Sequence, residues 1–320
     1  MIYSILRDSS TNLTIEWLEK YNAKWIRINE SKYGEDLNLC FDLSNDVKWL
    51  NYKGELINSE TIHSIWMRRY RGSSGFEFPQ NVELNFILKF RNCIETERKS
   101  VRKLIDNFYF DNVKWLNHPK NVSLSKIDQL MMAKINGIRI PATIITTSKD
   151  ELMRFHHQYG SIVIKPIEST GSFILDRKSY VPFTKIVTAE FIESLDSTFH
   201  PILCQEYIEK KIEIRSFYLS GKFYSSALLS QIQDSSKADS RNNDPNTIQR
   251  RVPYLLPNNL TRKLKKYMNA LDLNSGSIDI IKSKQNEFVF LEVNPAGQFG
   301  MISDACNFNL ERKIAKYLLC

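Results

Sequence analysis

The sequence predicts a mixed α/β protein of more than one domain, and three observations lead there. Short apolar runs alternate with helical periodicity in the first 75 residues. Helix-capping signals recur through the middle. Paired apolar strands joined by short polar turns fill much of the last third. At roughly 100–200 residues per domain, the 320 residues make two or three. A chain this long buries a core without disulfides.

In chain order, Met1–Leu6, Leu13–Tyr21 and Lys24–Ile28 read as strand, helix and strand, a βαβ-like unit. Over Val82–Phe110, the residues Leu84, Ile87, Leu88, Phe90 and Ile94 recur at helical spacing and predict one or two helices. Ser125 with Asp128 nearly makes a capping box, and Gly137 is placed to end that helix. Ile138–Ile145 reads as a strand. Ser148 and Glu151 form a capping box for a helix that Gly160 ends. Ser161–Ile167 is a strand that runs into the polar turn Glu168–Ser172. Ile202–Ile208 and Ile212–Leu219 are strands, and Ser220-Gly221 turns the second into Lys222–Leu229. Residues 231–250 are polar and turn-rich, a loop of the length that is usually functional. Leu260–Leu271 is a basic amphipathic helix. Ser277–Lys282 and Glu287–Val293 form a final hairpin.

Composition narrows the class. The chain is 42% hydrophobic and 25% charged, ordinary for a soluble protein. No window reaches the ~20 apolar residues of a membrane span, and the first residues lack the order of a secretory signal. A cytoplasmic protein with no membrane role is expected. The five cysteines are odd in number and never at CxxC spacing, so free thiols fit better than a disulfide framework or a zinc cluster. The net charge of +8 is spread among 36 acids, which argues against nucleic acid and suits a site for ATP and an acidic peptide. The histidines are dispersed, and none joins a nucleophile signature.

Several constellations carry chemistry. Glu292 and Asn294 share a strand face, being two apart. Reflection of the hairpin about Gln285 sets Asp279 opposite residue 291, so a small bulge would put it beside Glu292. Three such oxygen donors suit magnesium, which keeps positions open for phosphates; polar side chains facing water would look the same. Lys165 is the one charge in the apolar strand Ser161–Ile167, and a phosphate would supply its anion; an edge-strand lysine reaching for solvent is the plainer alternative. Cys204-Gln205-Glu206-Tyr207-Ile208 can line an adenine slot. Arg215 shares a face with Glu213, either as a phosphate contact or as a structural ion pair. Arg68, Arg69 and Arg71 form the densest basic cluster.

The order of these pieces, Ser125-Lys126-x-x-Gln129, Gly137, Ile140-Pro-Ala-Thr143, VIKPIESTGS, QEYI, EIR, then D…LEVNP, resembles the ATP-grasp superfamily from residue 115 to about 305. Ile65–Tyr70, WLNHP at 115–119, the D-x-R of Asp239–Arg241, and RVPYLLP at 251–257 look like the graspetide (microviridin-type) peptide maturases of the grasp-with-spasm group. The resemblance implies an α/β (α+β) ATP-grasp fold. Its parts are an N-terminal pre-ATP-grasp domain over 1–114, a central subdomain over 115–210 and a C-terminal subdomain over 211–320. It implies ATP and Mg2+ as cofactors. Lys126 and Lys165 match nucleotide-binding lysines, and Gln205, Glu206, Tyr207 and Ile208 the adenine hinge. Glu209 or Glu213 matches the ribose position. Arg215 matches the phosphate-contacting arginine, and Asp279, Glu292 and Asn294 the metal ligands. The phosphate turn has fewer glycines than many members, and Ser240 stands where tryptophan is usual.

The expected reaction activates Asp or Glu side chains of a precursor peptide and closes ester or amide rings with Thr, Ser or Lys. Arg68, Arg69 and Arg71 are candidates to grip the acidic core, with Asp239, Arg241 and Arg251 also on the substrate side. A leader-binding surface is expected near Ile212–Leu229, and the resemblance suggests a homodimer. Two other functions remain: a ligase adding amino acids to a peptide terminus, and a nucleotide-gated peptide-binding module.

Overall fold

The computed structural model describes residues 1–29, 32–69, 78–79, 81–168, 173–175, 178–180, 184–229 and 250–320. Its first strands and helix, β1 (Ile2–Ser4), α1 (Ser9–Lys20) and β2 (Arg27–Asn29), form the expected βαβ unit, with β1 and β2 parallel. Asp8 caps α1 by accepting from the Thr11 N–H at 2.8 Å, so the helix begins four residues before its first apolar residue. An antiparallel meander not anticipated from the sequence follows: β3 (Leu37–Asp42), β4 (Val47–Tyr52) and β5 (Glu55–Ile57). Next come β6 (Ser64–Met67), α2 (Leu84–Leu104) and β7 (Lys114–Leu116). The parallel sheet has the order β2-β1-β6-β7.

The central segment runs α3 (Lys126–Ile135), β8 (Thr143–Ser148), α4 (Lys149–Tyr159), β9 (Ile162–Lys165), β10 (Phe173–Leu175), β11 (Lys178–Tyr180), β12 (Lys185–Val187), α5 (Ala189–Glu193) and β13 (Thr198–Glu206). Ser125 and Ser148 cap α3 and α4 as their spacing predicts. Strand β8 starts five residues later than expected because Pro141 has no N–H to give a ladder. The Arg139 carbonyl instead accepts from the Phe290 N–H at 2.8 Å. The antiparallel sheet β12-β9-β13-β8 carries α4 and α5 on one face, over Ile162, Val187 and Cys204.

The last part holds β14 (Lys210–Leu219), β15 (Lys222–Leu229), β16 (Arg250–Tyr254), α6 (Asn258–Ala270), β17 (Ser275–Ser283), β18 (Phe288–Asn294), α7 (Gly300–Ala305) and α8 (Leu310–Leu319). Ser220 (φ 44°) and Gly221 (φ 87°) make the tight turn between β14 and β15. The five strands form one antiparallel sheet, β16-β15-β14-β17-β18. Its core face, with Ile214, Tyr218, Ile278 and Phe290, is covered by α6 and by α3, which packs here rather than against the central sheet. A second core joins Ile2, Leu18 and Trp66 of the N-terminal part to Phe217, Phe299 and Ile314, and so fastens the first domain to the last. No described helix is long and apolar enough to cross a membrane.

Candidate active site

The five-stranded sheet gathers its charge in one row. Arg215, Asp279 and Glu292 are successive cross-strand partners on β14, β17 and β18. Strand alternation turns Ile214 and Ile278 into the core, which leaves Glu213, Arg215, Asp279 and Glu292 on the opposite face. The pairing shifts between Asp279 and Ile280: Ile280 opposes Phe290, whereas Asp279 opposes Glu292. Leu291 is thus the extra residue of a bulge, the irregularity needed to set the two carboxylates side by side. Asn294 follows one alternation later, opposite Ser277.

Arg215 grips Asp279 with a two-pronged fork, Nε to Oδ1 at 2.8 Å and Nη2 to Oδ2 at 2.7 Å. Asp279, not Glu213, is therefore its ion-pair partner. Residues directly opposed on neighbouring strands lie closer than residues two apart along one strand. Burial works against the charge of Arg215, but the hydrogen bonds and charge of Asp279, reinforced by Glu292 and Glu213, hold its pKa above the ordinary value. Arg251, on β16, feels the same cluster. Burial and the like charge of Arg215 lower its pKa, and Glu213 and Asp279 oppose them. Glu213 is ion-paired with Lys210.

The donor set fits a hard cation. Among the described residues no three His, Cys, Asp or Glu side chains cluster as metal ligands. A cation here would rest on the Asp279 and Glu292 carboxylates and the Asn294 amide, all oxygen, with room left for phosphate oxygens. Asp279 spends one acceptor site per oxygen on Arg215, and a carboxylate has about four.

The turn from β13 to β14 forms the other wall. Glu206 donates its N–H to Ala142 O and Tyr207 its N–H to Ser161 O, both at 2.9 Å. Among the described residues no backbone carbonyl takes the Ile208 N–H. The Glu206 carboxylate is held by the Ala142 N–H at 3.1 Å, with Arg139 at 3.7 Å. Gln205 is buried, and its Nε2 donates to Thr143 Oγ1 at 3.1 Å. Lys165 opposes Leu203 on the face turned away from α4 and α5. Lys126 donates to Pro166 O at 3.1 Å, on the residue that follows Lys165. Glu209 pairs with Lys284 at 3.1 Å on the surface, whereas Glu213 shares the face of Arg215.

The basic cluster divides. Arg68 is 1% exposed. It donates to the carbonyls of Ala296 and Gly297 and lies 3.7 Å from Asp8, so it is a buried clasp and the expectation that it grips an acidic peptide is corrected. The residue directly follows β6, whose four positions are all buried, and the apolar run Ile65-Trp66-Met67 before it was the available signal. Arg69 keeps a third of its side chain exposed, 3.7 Å from Asp8. Arg71, Asp239, Arg241, the turn residues 169–172 and loop residues 231–249 lie outside the described residues. Sequence reasoning missed Asn117, which fastens WLNHP to the start of β17 by accepting the N–H groups of Asn274 and Ser275 at 2.8 and 2.9 Å. It also gave Gln129 no role. Gln129 Oε1 takes the Val293 N–H at 2.9 Å, between Glu292 and Asn294.

Comparison with known proteins identifies two kinds of domain along the chain. A family model described as the MvdD pre-ATP grasp domain matches residues 4–123, and one described as the prokaryotic glutathione synthetase ATP-grasp domain matches 128–287. No curated protein sequence matches. Among solved structures, the Chryseobacterium gregarium RiPP-associated ATP-grasp ligase, in complex with ADP and a leader and core peptide, aligns at a TM-score of 0.84 and 25% identity. That alignment covers 99% of this chain and 95% of the other. The macrocyclase MdnC from Microcystis aeruginosa MRC, bound with precursor peptide MdnA, aligns at 0.81 and 22%, covering 99% and 98%. The ATP-grasp ligase PsnB, with a phosphomimetic variant of its minimal precursor, Mg and ADP, aligns at 0.77 and 13%, covering 99% and 96%. At those identities the last two attest to a shared fold. The glutathione synthetase-type model spans half of the chain and takes in Lys165, the β13–β14 turn, and Arg215 and Asp279 of the charged row, so the chain belongs to the ATP-grasp family and is an ATP-dependent ligase.

Proposed function

We propose that this ligase matures a ribosomal precursor peptide, converting Asp or Glu side chains into acyl phosphates and closing intramolecular esters or amides with Thr, Ser or Lys. The observation that carries it is the row Arg215–Asp279–Glu292 with Asn294, set on a fold shared over its whole length with ligases that hold peptides. A peptide carboxylate attacks the γ-phosphorus of ATP and ADP leaves. The hydroxyl or amine then attacks the acyl carbon, loses its proton, and phosphate departs. Each ring costs the peptide one water. No side chain of the protein becomes covalently attached, so positioning and charge neutralisation do the work.

In this reading Ile208 N–H and the backbone of Glu206 and Tyr207 meet adenine, and Glu213 rather than surface-paired Glu209 meets ribose. Lys126, Lys165 and Arg215 meet phosphates. Asp279, Glu292 and Asn294 would hold Mg2+, which neutralises phosphate charge and orients the transferring group. Arg251, on the same face, and Arg69, at the N-terminal side, are placed to meet acidic peptide side chains. We read the protein as a cytoplasmic homodimer whose leader site lies near Ile212–Leu229, and the domain limits 1–114, 115–210 and 211–320 as functional units.

The test is intact mass of a neighbouring-gene peptide rich in acids, Thr, Ser and Lys after incubation with protein, ATP and Mg2+. Successive losses of about 18 Da, absent with Glu292→Ala, are expected. A mass gain would replace this reading with amino-acid ligation.

A further inference from the structure

The metal-site strand ends at Asn294, and the five residues that follow, Pro295–Phe299, are held both by β17 and by two side chains of the N-terminal part. Arg68 directly follows β6 in the N-terminal domain. Its Nη1 donates to the carbonyls of Ala296 and Gly297, the latter at 3.2 Å, and its guanidinium lies 5.2 Å from the Phe299 ring centre. Asn117, at the end of β7, donates from Nδ2 to Pro295 O at 3.1 Å and to Ser275 O at 2.9 Å. Ser277 Oγ donates to Gln298 O at 3.0 Å. The turn has no slack: a Cβ at Gly297 would stand 2.6 Å from Ser277 Cβ and 2.9 Å from Asn294 O. Inside the turn, the Asn294 side-chain oxygen accepts from the Ala296 N–H at 3.2 Å, so its orientation follows the position of Ala296.

Packing alone does not call for this arrangement. A guanidinium removed from water is costly to hold, and an apolar side chain would fill the same space more cheaply. What arginine and asparagine add is direction, fixed hydrogen bonds to three successive carbonyls of one turn. We propose that Arg68 and Asn117 are positioning residues of the metal site, acting from the N-terminal domain through the Pro295–Phe299 turn on the Asn294 amide. The proposal rests on the reading of Asp279, Glu292 and Asn294 as Mg2+ ligands.

The experiment measures ADP affinity by calorimetry with Mg2+ and with EDTA, in wild type, Arg68→Met, Arg68→Lys and Asn117→Ala. Removing an outer partner of a metal ligand typically weakens metal affinity about 10–100-fold. Arg68→Met and Asn117→Ala should therefore lose about tenfold of the tightening that Mg2+ gives, while affinity in EDTA stays within about twofold of wild type. Arg68→Lys should recover part of the loss. Amide hydrogen exchange at Ala296 and Gly297 should speed up in the nucleotide-free variants. Equal losses with and without Mg2+, or unchanged Mg2+ tightening despite faster exchange, would overturn the proposal. If Arg68→Met does not fold, Gly297→Ala displaces the same turn from the Ser277 side and must give the same signature. Glu292→Ala separates the two layers. If it also leaves Mg2+ tightening intact, the ligand assignment is wrong; if it abolishes tightening while Arg68→Met does not, only the positioning role fails.

Discussion

The two sheets that bring the predicted site together are built differently. In the five-stranded sheet the charged row is braced on every side. A core under α3 and α6 supports it from behind, Gln129 pins the strand between Glu292 and Asn294, and the N-terminal domain holds the turn beyond. In the four-stranded sheet the core is small, built around Leu152, Phe155, Ile162 and Ile192. That sheet offers Lys165 and the backbone of the following turn. Charge fixed before the reaction needs a rigid support, because donors that must reorganise lose their advantage. A wall that admits and releases nucleotide needs less, as lids do. In the proposed reading, the metal-and-phosphate work falls to the braced sheet and the closing work to the other.

The largest effects should therefore follow changes to the charged row. Asp279→Asn or Glu292→Ala is expected to lower ATP-dependent turnover about 10²–10³-fold, read as phosphate release, with little change in Tm because both side chains are only partly buried. Arg215→Lys keeps the charge but not the fork that meets both Asp279 oxygens, and should fall nearly as far. Equal damage from Lys165→Met would break the contrast between the sheets.

Core substitutions probe the supports. Phe290 is 1% exposed beneath the row and stacks edge-on with Tyr267 at 5.1 Å. Phe290→Ala should cost about 3–5 kcal/mol in urea unfolding. Leu152→Ala, under the smaller sheet, should cost about 2–5 kcal/mol and leave Mg2+-dependent ADP binding intact. A smaller effect is expected from Lys165→Met: KM for ATP rises about tenfold while kcat changes less, since one surface-side charge contact contributes on the order of 1.4 kcal/mol.

The charged row was legible in the sequence because strand arithmetic is local. The turn at Gln285 fixes the register to within one residue, and the demand that Asp279 meet Glu292 supplies the bulge. Helix caps were legible for the same reason at Ser125 and Ser148. What was not legible depends on residues distant in the chain. Nothing beside Arg68 announces that carbonyls 228 and 229 residues away will take its charge. Nor does WLNHP show that Asn117 will clasp a strand more than 150 residues on. The β3–β5 meander is a different case: the Lys53-Gly54 turn, at φ 53° and 88°, was a readable hairpin signal that went unused.

The smallest predicted effect concerns the joint between the two halves. His118 follows Asn117, lies 4.9 Å from the Trp115 ring, and accepts the Lys120 N–H on Nδ1 at 3.2 Å. Only a neutral imidazole can accept there. Burial foremost, helped by the charge of Lys120 and opposed by Asp106 and Asp272, lowers its pKa below the ordinary 6.5. The folded chain thus resists a proton that the unfolded chain accepts. This share of stability is present above about pH 6.5 and is lost as pH falls through the lowered value. Tm should drop between pH 7 and pH 5, and the drop should be smaller in His118→Asn, which keeps a capping oxygen for Lys120 but does not titrate. A pH slope in His118→Asn equal to that of the wild type would place the acid sensitivity elsewhere in the chain.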